Sequence, residues 1–134
     1  MRGGSVRRMT RVVLVTSLLL LAACGMETDE RPRTFVFINE AILAPSCATA
    51  NCHSSFAQAD GYSFSTVAEG RASLEGEVRP GAPEDSNLWL VIDSPGGDNQ
   101  PKQMPRDQPM SGADKDLIYQ WILEGADGLV EGAQ

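Results

Sequence analysis

The residues best suited to covalent and metal chemistry lie close together near the middle of the chain. Two cysteines, Cys47 and Cys52, are separated by four residues, and the only histidine, His53, directly follows the second cysteine. This order is close to the C-x-x-C-H motif at which haem is attached covalently. In such a motif the two thiols add to the haem vinyl groups as thioethers, and the imidazole coordinates the iron. The segment therefore predicts a haem c site with two extra residues between the thiols.

The extra residues require the backbone between the cysteines to bulge, and the small side chains of Ala48, Thr49 and Ala50 allow this. Two other interpretations remain open. Cys47 and Cys52 could form a disulfide, which suits an exported chain. A zinc site is the third interpretation, although a structural zinc ion takes four ligands and the chain has no second cysteine or histidine pair.

The first quarter of the chain has the layout of a secretory signal. Four arginines precede and border an apolar run over residues 12–23, which is too short to span a bilayer comfortably. The run ends in Leu21-Ala22-Ala23-Cys24-Gly25, which resembles the lipobox of bacterial lipoproteins. That resemblance implies cleavage before Cys24, diacylation of its thiol and, with glycine next, sorting to the outer membrane of a Gram-negative cell, facing the periplasm. An ordinary signal peptide is the alternative.

Removal of residues 1–23 leaves a strongly acidic chain. Seven Lys and Arg then stand against eighteen Asp and Glu, a formal charge of −11. This charge repels phosphate backbones and anionic headgroups, so it argues against nucleic-acid binding and leaves the lipid as the predicted membrane contact. It suits solubility and, equally, steering towards a basic redox partner. We expect residues 24–33 to be a polar tether and residues 34–134 to form one domain.

A helix is predicted immediately before the cysteine and histidine segment. Phe35, Ile38 and Ile42 recur at helical spacing and would share one face. A short buried strand over residues 35–38 is the alternative, because β-forming residues are frequent there. Pro45 is expected to end the helix two residues before the first thiol.

Two short helices are predicted to follow the site after a polar loop. The first lies within residues 65–74, with Val67, Ala68 and Leu74 expected to face inward. The second covers residues 87–92 and is preceded by acidic residues, which favour the start of a helix.

The last helix is predicted to follow a proline-rich loop over residues 94–109, in which no regular element is expected. Ser111 is the predicted N-cap, and Asp114 stands three positions later, as in a capping box. Apolar residues then recur at helical spacing as far as Ile122, and Gly125 is expected to end the helix.

Four stretches of the chain carry a likeness to a known family. They are Pro45-Ser46-Cys47, Pro80-Gly81-Ala82-Pro83-Glu84-Asp85-Ser86, Met104-Pro105 and Trp121-Ile122-Leu123-Glu124-Gly125-Ala126. With the order of predicted helices, residues 34–127 resemble the class I cytochromes c, and most closely the cytochrome c-like lipoproteins of myxobacterial and planctomycete type. The resemblance implies a small all-α domain with long loops, in which the N- and C-terminal helices cross and pack together.

The resemblance also implies a role for each residue of the site. Cys47 and Cys52 would form the thioethers to haem c, His53 would be the proximal iron ligand, and Met104 would be the distal ligand. Met110 and an open sixth position are the alternatives to Met104. A thioether ligand favours Fe(II) and so raises the reduction potential.

The function implied is that of a monohaem, lipid-anchored, extracytoplasmic electron carrier that exchanges electrons with a redox partner protein. Such a carrier is not an enzyme, and the scattered carboxylates offer no evident catalytic acid or base. The main alternative is a disulfide-bonded, non-redox binding or scaffold lipoprotein. A small haem peroxidase or sensor with an open sixth position is a further alternative.

Overall fold

A computed structural model describes residues 28–130 and shows a small all-helical protein. The described part contains four helices and no strand. The helices are α1 over residues 35–47, α2 over Val67–Leu74, α3 over Asn87–Ile92 and α4 over Gly112–Leu123. The predicted signal segment, Cys24 and the first residues of the tether lie outside the described residues. Within residues 28–130 no helix has the length and apolar character needed to cross a bilayer.

Helix α1 changes its winding along its length. Its two ends, Phe35–Ile38 and Ala44–Cys47, are α-helical, whereas its centre, Asn39–Leu43, is a π-helix. The three apolar residues predicted to share one face are all buried, and residues 35–38 are helical. The helical interpretation of this segment is therefore confirmed, and the alternative strand is excluded.

The expectation that Pro45 ends this helix is wrong, because α1 continues through Pro45 to Cys47. In a regular α-helix a proline ring collides with the carbonyl four residues back. Here the Ala44 N–H donates to the carbonyl of Asn39, five residues back, so the turn before the proline is wider. The π-helical turn explains how the chain accommodates Pro45 and carries the first cysteine at the end of the helix.

Helix α2 lies within its predicted window, but one of its predicted inward residues does not face the core. Leu74 is buried and Val67 is half-buried, whereas Ala68 is exposed. The buried face is set by Gly70 and Leu74, which are four residues apart and lie above one another on the helix. Ala68 is two residues from Gly70 and so falls on the opposite side.

Helices α1 and α2 pack closely together at Gly70. A Cβ atom at this position would lie 2.1 Å from Oδ1 of Asn39 and 3.1 Å from Cζ of Phe35. Asn39 is fully buried in the π-helical turn, and its Nδ2 donates to the carbonyl of Phe64 at 3.3 Å. The side chain of Asn39 therefore occupies the space that any larger residue at position 70 would need.

Helices α3 and α4 and the loop between them have the predicted positions. Ser111 caps α4, since its Oγ accepts a hydrogen bond from the Asp114 N–H at 3.1 Å, and the chain leaves the helix through Gly125 at φ +111°. Leu88 and Ile92 of α3 are buried. The apolar residues of α4 that complete the core are Leu117, Ile118, Trp121 and Ile122.

The start of α1 is fastened to the end of α4. The rings of Phe35 and Trp121 pack against each other with centroids 5.9 Å apart and their planes tilted by 31°. The carbonyl of Asp127 accepts two hydrogen bonds, from the Phe35 N–H at 2.9 Å and from the Trp121 indole N–H at 3.0 Å. These contacts join the two ends of the domain around one buried aromatic pair.

We expect Gly70→Ala to destabilise the fold, although alanine is the better helix former. The added methyl group collides with the buried side chain of Asn39, and overpacking of this kind costs about 1–3 kcal/mol. Urea unfolding followed by far-ultraviolet circular dichroism measures the change.

Gly112→Ala is the matched control, because Gly112 is also helical and a Cβ there meets nothing within 4 Å. Its free energy of unfolding should change by about 0.5 kcal/mol or less. Equal stability of the two variants would show that α1 and α2 do not require glycine at their contact.

Candidate functional site

The segment between the two cysteines is a closed loop at the end of α1. The backbone N–H of His53 donates to the carbonyl of Cys47 at 3.0 Å, and the N–H of Cys52 donates to the carbonyl of Thr49 at 2.9 Å. Residues 48–51 turn outwards between these two bonds. The expected bulge is therefore present. It accommodates the extra residues, and Cys47 and His53 remain joined by a backbone hydrogen bond.

Both cysteines carry free thiols, but their environments differ. Cys47 belongs to the core and is only 8% exposed, whereas Cys52 is half-buried. Burial, with a smaller contribution from the neighbouring Cys52, raises the pKa of the Cys47 thiol to about 12. In the metal-free chain Cys47 is therefore a neutral thiol at physiological pH. Within residues 28–130 no three His, Cys, Asp or Glu side chains are grouped as a metal site.

The imidazole of His53 is held in one orientation. Its Nδ1 lies 3.0 Å from the carbonyl oxygen of Ala59, which can only accept a hydrogen bond. Nδ1 is therefore the donor in this contact, and in the neutral imidazole Nε2 keeps its lone pair. The rings of Tyr62 and Phe64 meet the imidazole edge-on, with centroids 5.9 and 5.7 Å away. Nε2 is thus the nitrogen available to a metal, and the hydrogen bond at Nδ1 fixes its direction.

The carbonyl that orients His53 belongs to a turn with unusual backbone angles. Gln58 and Asp60, on either side of Ala59, have φ values of +44° and +54°, in the left-handed region that side chains with a Cβ rarely adopt. The turn is held by the Ala59 N–H, which donates to the carbonyl of Cys52 at 3.0 Å. Backbone strain of this kind persists only where the surrounding structure enforces it. Here the strained residues flank Ala59, whose carbonyl accepts the hydrogen bond from the imidazole.

Two cavities meet at the cysteine and histidine segment, with volumes of about 340 and 750 Å³. Both are lined by Cys47, His53, Asp60 and Met104, so they border the same group of side chains. Their sizes lie within the range of ligand sites. The walls of the smaller cavity are mainly apolar and include Tyr62, Phe64, Leu74, Leu88, Val91 and Ile92. The larger cavity adds Cys52, Arg106 and Met110 to the lining.

The structure distinguishes between the two candidate methionines. Met104 is half-buried and lines both cavities, and its N–H donates to the carbonyl of Val91 at 2.9 Å, which ties the loop to α3. Met110 lines only the larger cavity and is packed into the core with 8% of its surface exposed. Met104 is therefore the methionine that shares both cavities with His53.

The structure brings together the four site residues predicted from the sequence, which are Cys47, Cys52, His53 and Met104. It also shows three neighbours of the imidazole that the sequence did not indicate. The carbonyl of Ala59 orients the imidazole, and Tyr62 and Phe64 enclose it. A backbone carbonyl has no signature in the sequence, and Gly61 alone indicates only a turn. The two tryptophans line neither cavity, since Trp121 packs on Phe35 and Trp89 packs on Tyr119 at 4.9 Å.

We expect the two thiols of the reduced, haem-free protein to react with iodoacetamide at very different rates. At pH 8 a thiol with a pKa of about 12 is thiolate in only roughly one molecule in 10,000, and Cys47 is also shielded. Cys52 should therefore be alkylated roughly tenfold faster or more, as measured by mass spectrometry of the peptides. Unfolding in urea should remove the difference. Equal rates in the folded protein would contradict the burial of Cys47.

Three kinds of comparison with known proteins found no match for this chain: no protein-family model, no curated protein and no solved structure matches it. The features that can indicate a function are therefore the thiols, the oriented imidazole and the methionine that line the two cavities.

Proposed function

We propose that this protein is a monohaem c-type cytochrome that acts as a lipid-anchored, extracytoplasmic electron carrier. The observation that carries the proposal is the geometry of His53. Its Nδ1 is bound to the carbonyl of Ala59, which leaves Nε2 of the neutral ring for a metal, and His53 lines two cavities that also border Cys47 and Met104. When bound, haem c supplies an iron that cycles between Fe(III) and Fe(II).

The donor set fits covalent haem. Two thiols, one imidazole and one thioether are the groups that attach and ligate a haem c. Cys47 and Cys52 would hold the macrocycle, His53 would bind the iron, and the apolar walls of the smaller cavity would keep water from one side. The high pKa of Cys47 is compatible with this role, because the sulfur ends as a neutral thioether.

Met104 is the proposed distal ligand. Its thioether sulfur is a soft donor, which stabilises Fe(II) and so raises the reduction potential. A filled sixth position leaves no room for peroxide or a gas at the iron. The chain would therefore act as a carrier and not as an enzyme.

The arrangement of the helices supports a cytochrome c-like domain. In the class I cytochromes c, which the sequence resembles, the first and last helices cross and pack together. Here the start of α1 and the end of α4 share the Phe35 and Trp121 contact and the two hydrogen bonds to the Asp127 carbonyl. The site lies at the other end of α1, beside α3 and the methionine loop.

The proposed location and partner follow from the sequence. Acylation of Cys24 would anchor the protein to the outer membrane on its periplasmic side. The formal charge of −11 after signal removal suits a redox partner with a basic surface. No nucleic acid is a partner in this proposal.

The full chain, exported in cells that attach haem c, tests the proposal. We expect a c-type pyridine haemochrome spectrum and a peptide over residues 47–53 that is heavier by one haem. A colourless protein whose peptide is lighter by two protons, from cells that mature a control cytochrome, would overturn the proposal. That result would favour the disulfide-bonded binding lipoprotein.

Replacement of the two methionines separates the proposed ligand from the core residue. Met104→Ala should change the visible spectrum of the oxidised protein and lower its reduction potential, because the iron loses its sulfur ligand. Met110→Ala should leave the spectrum unchanged but destabilise the fold by about 2–4 kcal/mol, because it removes a buried side chain. Spectroscopy with potentiometry and urea unfolding measure the two effects. The opposite pattern would assign Met110 as the ligand.

A further inference from the structure

The segment before α1 lies along α4 and leads back towards the site. Nη1 of Arg33 donates to Oε1 of Glu124 at 2.8 Å, just beyond the C-terminal end of α4. Two residues earlier, Arg31 pairs with Asp114 in the first turn of the same helix. Glu124 follows Asp114 by ten positions, which corresponds to a rise of about 15 Å along a helix. The side chains of Arg33 and Arg31 therefore contact opposite ends of α4.

Arg31 binds residues of the tether and residues of α4 at the same time. Its Nη2 donates to the carbonyl of Ala113 at 2.9 Å, and its Nε and Nη2 donate to the carboxylate of Asp29 at 3.0 and 2.7 Å. The carboxylate of Asp114 also accepts from the hydroxyl of Ser111 at 2.7 Å. One guanidinium thus links the tether at Asp29 to the start of α4. We call these four residues, Asp29, Arg31, Ser111 and Asp114, the tether clamp.

The charges of the clamp persist at neutral pH. Partial burial acts to raise the pKa of Asp114, but hydrogen bonds from Arg31 and Ser111 outweigh it and leave this pKa below its ordinary value. Hydrogen bonds from Arg31 also lower the pKa of Asp29. A carboxyl group whose pKa is lowered stays ionised until the pH falls through that pKa, so both carboxylates of the clamp are charged at neutral pH.

The clamp lies at the edge of the proposed haem site. Ser111 and Asp114 line the larger cavity, which is also lined by Cys52, His53 and Met104. Arg31 therefore holds the tether at Asp29 next to residues that line this cavity. From Asp29 back to Cys24 there are only five residues, which span at most about 18 Å when fully extended.

We propose that the tether clamp holds the domain so that the opening of the larger cavity faces the membrane in which Cys24 is anchored. The inference rests on the proposed function, since it needs both the lipid on Cys24 and the haem in the cavity. Without the clamp the tether could leave the domain at Phe35, beside Trp121 and Asp127. The clamp lies near the opposite end of α4, so it decides which end of the domain is closest to the bilayer.

Energy transfer from the membrane surface to the haem tests this orientation. The full-length, haem-loaded lipoprotein is reconstituted in phosphatidylcholine vesicles that contain a lipid with a fluorescent headgroup. Haem quenches the fluorophore more strongly the closer it lies to the surface. We compare the wild type with Arg31→Ala, which removes the clamp, and with Lys115→Ala. The control removes an ion pair of the same helix, 2.8 Å between Lys115 and Asp93, that does not touch the tether.

Arg31→Ala should lose about a third or more of the quenching, and Lys115→Ala should behave as wild type, since only the first variant frees the tether. Raising the salt to about 1 M shortens the Debye length to about 3 Å and should weaken the quenching by the wild type but not by Arg31→Ala. Equal quenching by the wild type and Arg31→Ala, with no effect of salt, would overturn the inference.

The controls separate this failure from a failure of the proposed function. A protein without a Soret band before reconstitution would contradict the haem site. A coloured protein that remains in solution when vesicles are added would contradict the lipid anchor. Only a coloured, vesicle-bound protein tests the clamp, and its circular dichroism spectrum shows whether Arg31→Ala is folded.

Discussion

One hydrogen bond, from Nδ1 of His53 to the carbonyl of Ala59, determines what the site can do. It places the proton on one nitrogen and leaves the other as a donor to a metal. The surrounding structure maintains this bond. The left-handed backbone of Gln58 and Asp60 places the carbonyl, and the Phe64 N–H donates to the His53 carbonyl at 2.9 Å. The histidine is therefore fixed at its ring and at its backbone before any cofactor is present.

The position of the first thiol depends on the irregular winding of α1. The π-helical turn lets the helix pass Pro45 and end at Cys47, inside the core. The same turn buries Asn39 against Gly70 of α2. A feature that looks like a local defect of one helix thus connects the cysteine with the packing of a second helix.

The sequence predicted the features that depend on local interactions. The N-cap at Ser111 and the limits of α3 and α4 depend on neighbouring residues, so they are visible in the sequence. Two other features could not be read from the sequence. The passage of α1 through Pro45 depends on π-helical hydrogen bonding, and the exposure of Ala68 depends on how α2 packs. The motif identified the side chains of the site, but the carbonyl that orients the histidine could be found only in the structure.

The burial of Cys47 bears on the order in which the protein would be assembled. In the folded chain Cys47 is only 8% exposed and its thiol carries its proton, so the two cavities that it lines are the route by which haem could reach it. On the proposed function, we expect covalent attachment to be faster before α1 packs against the rest of the core than after it. Maturation and folding would then compete for the same chain after export, and the folded, colourless protein would accept haem slowly.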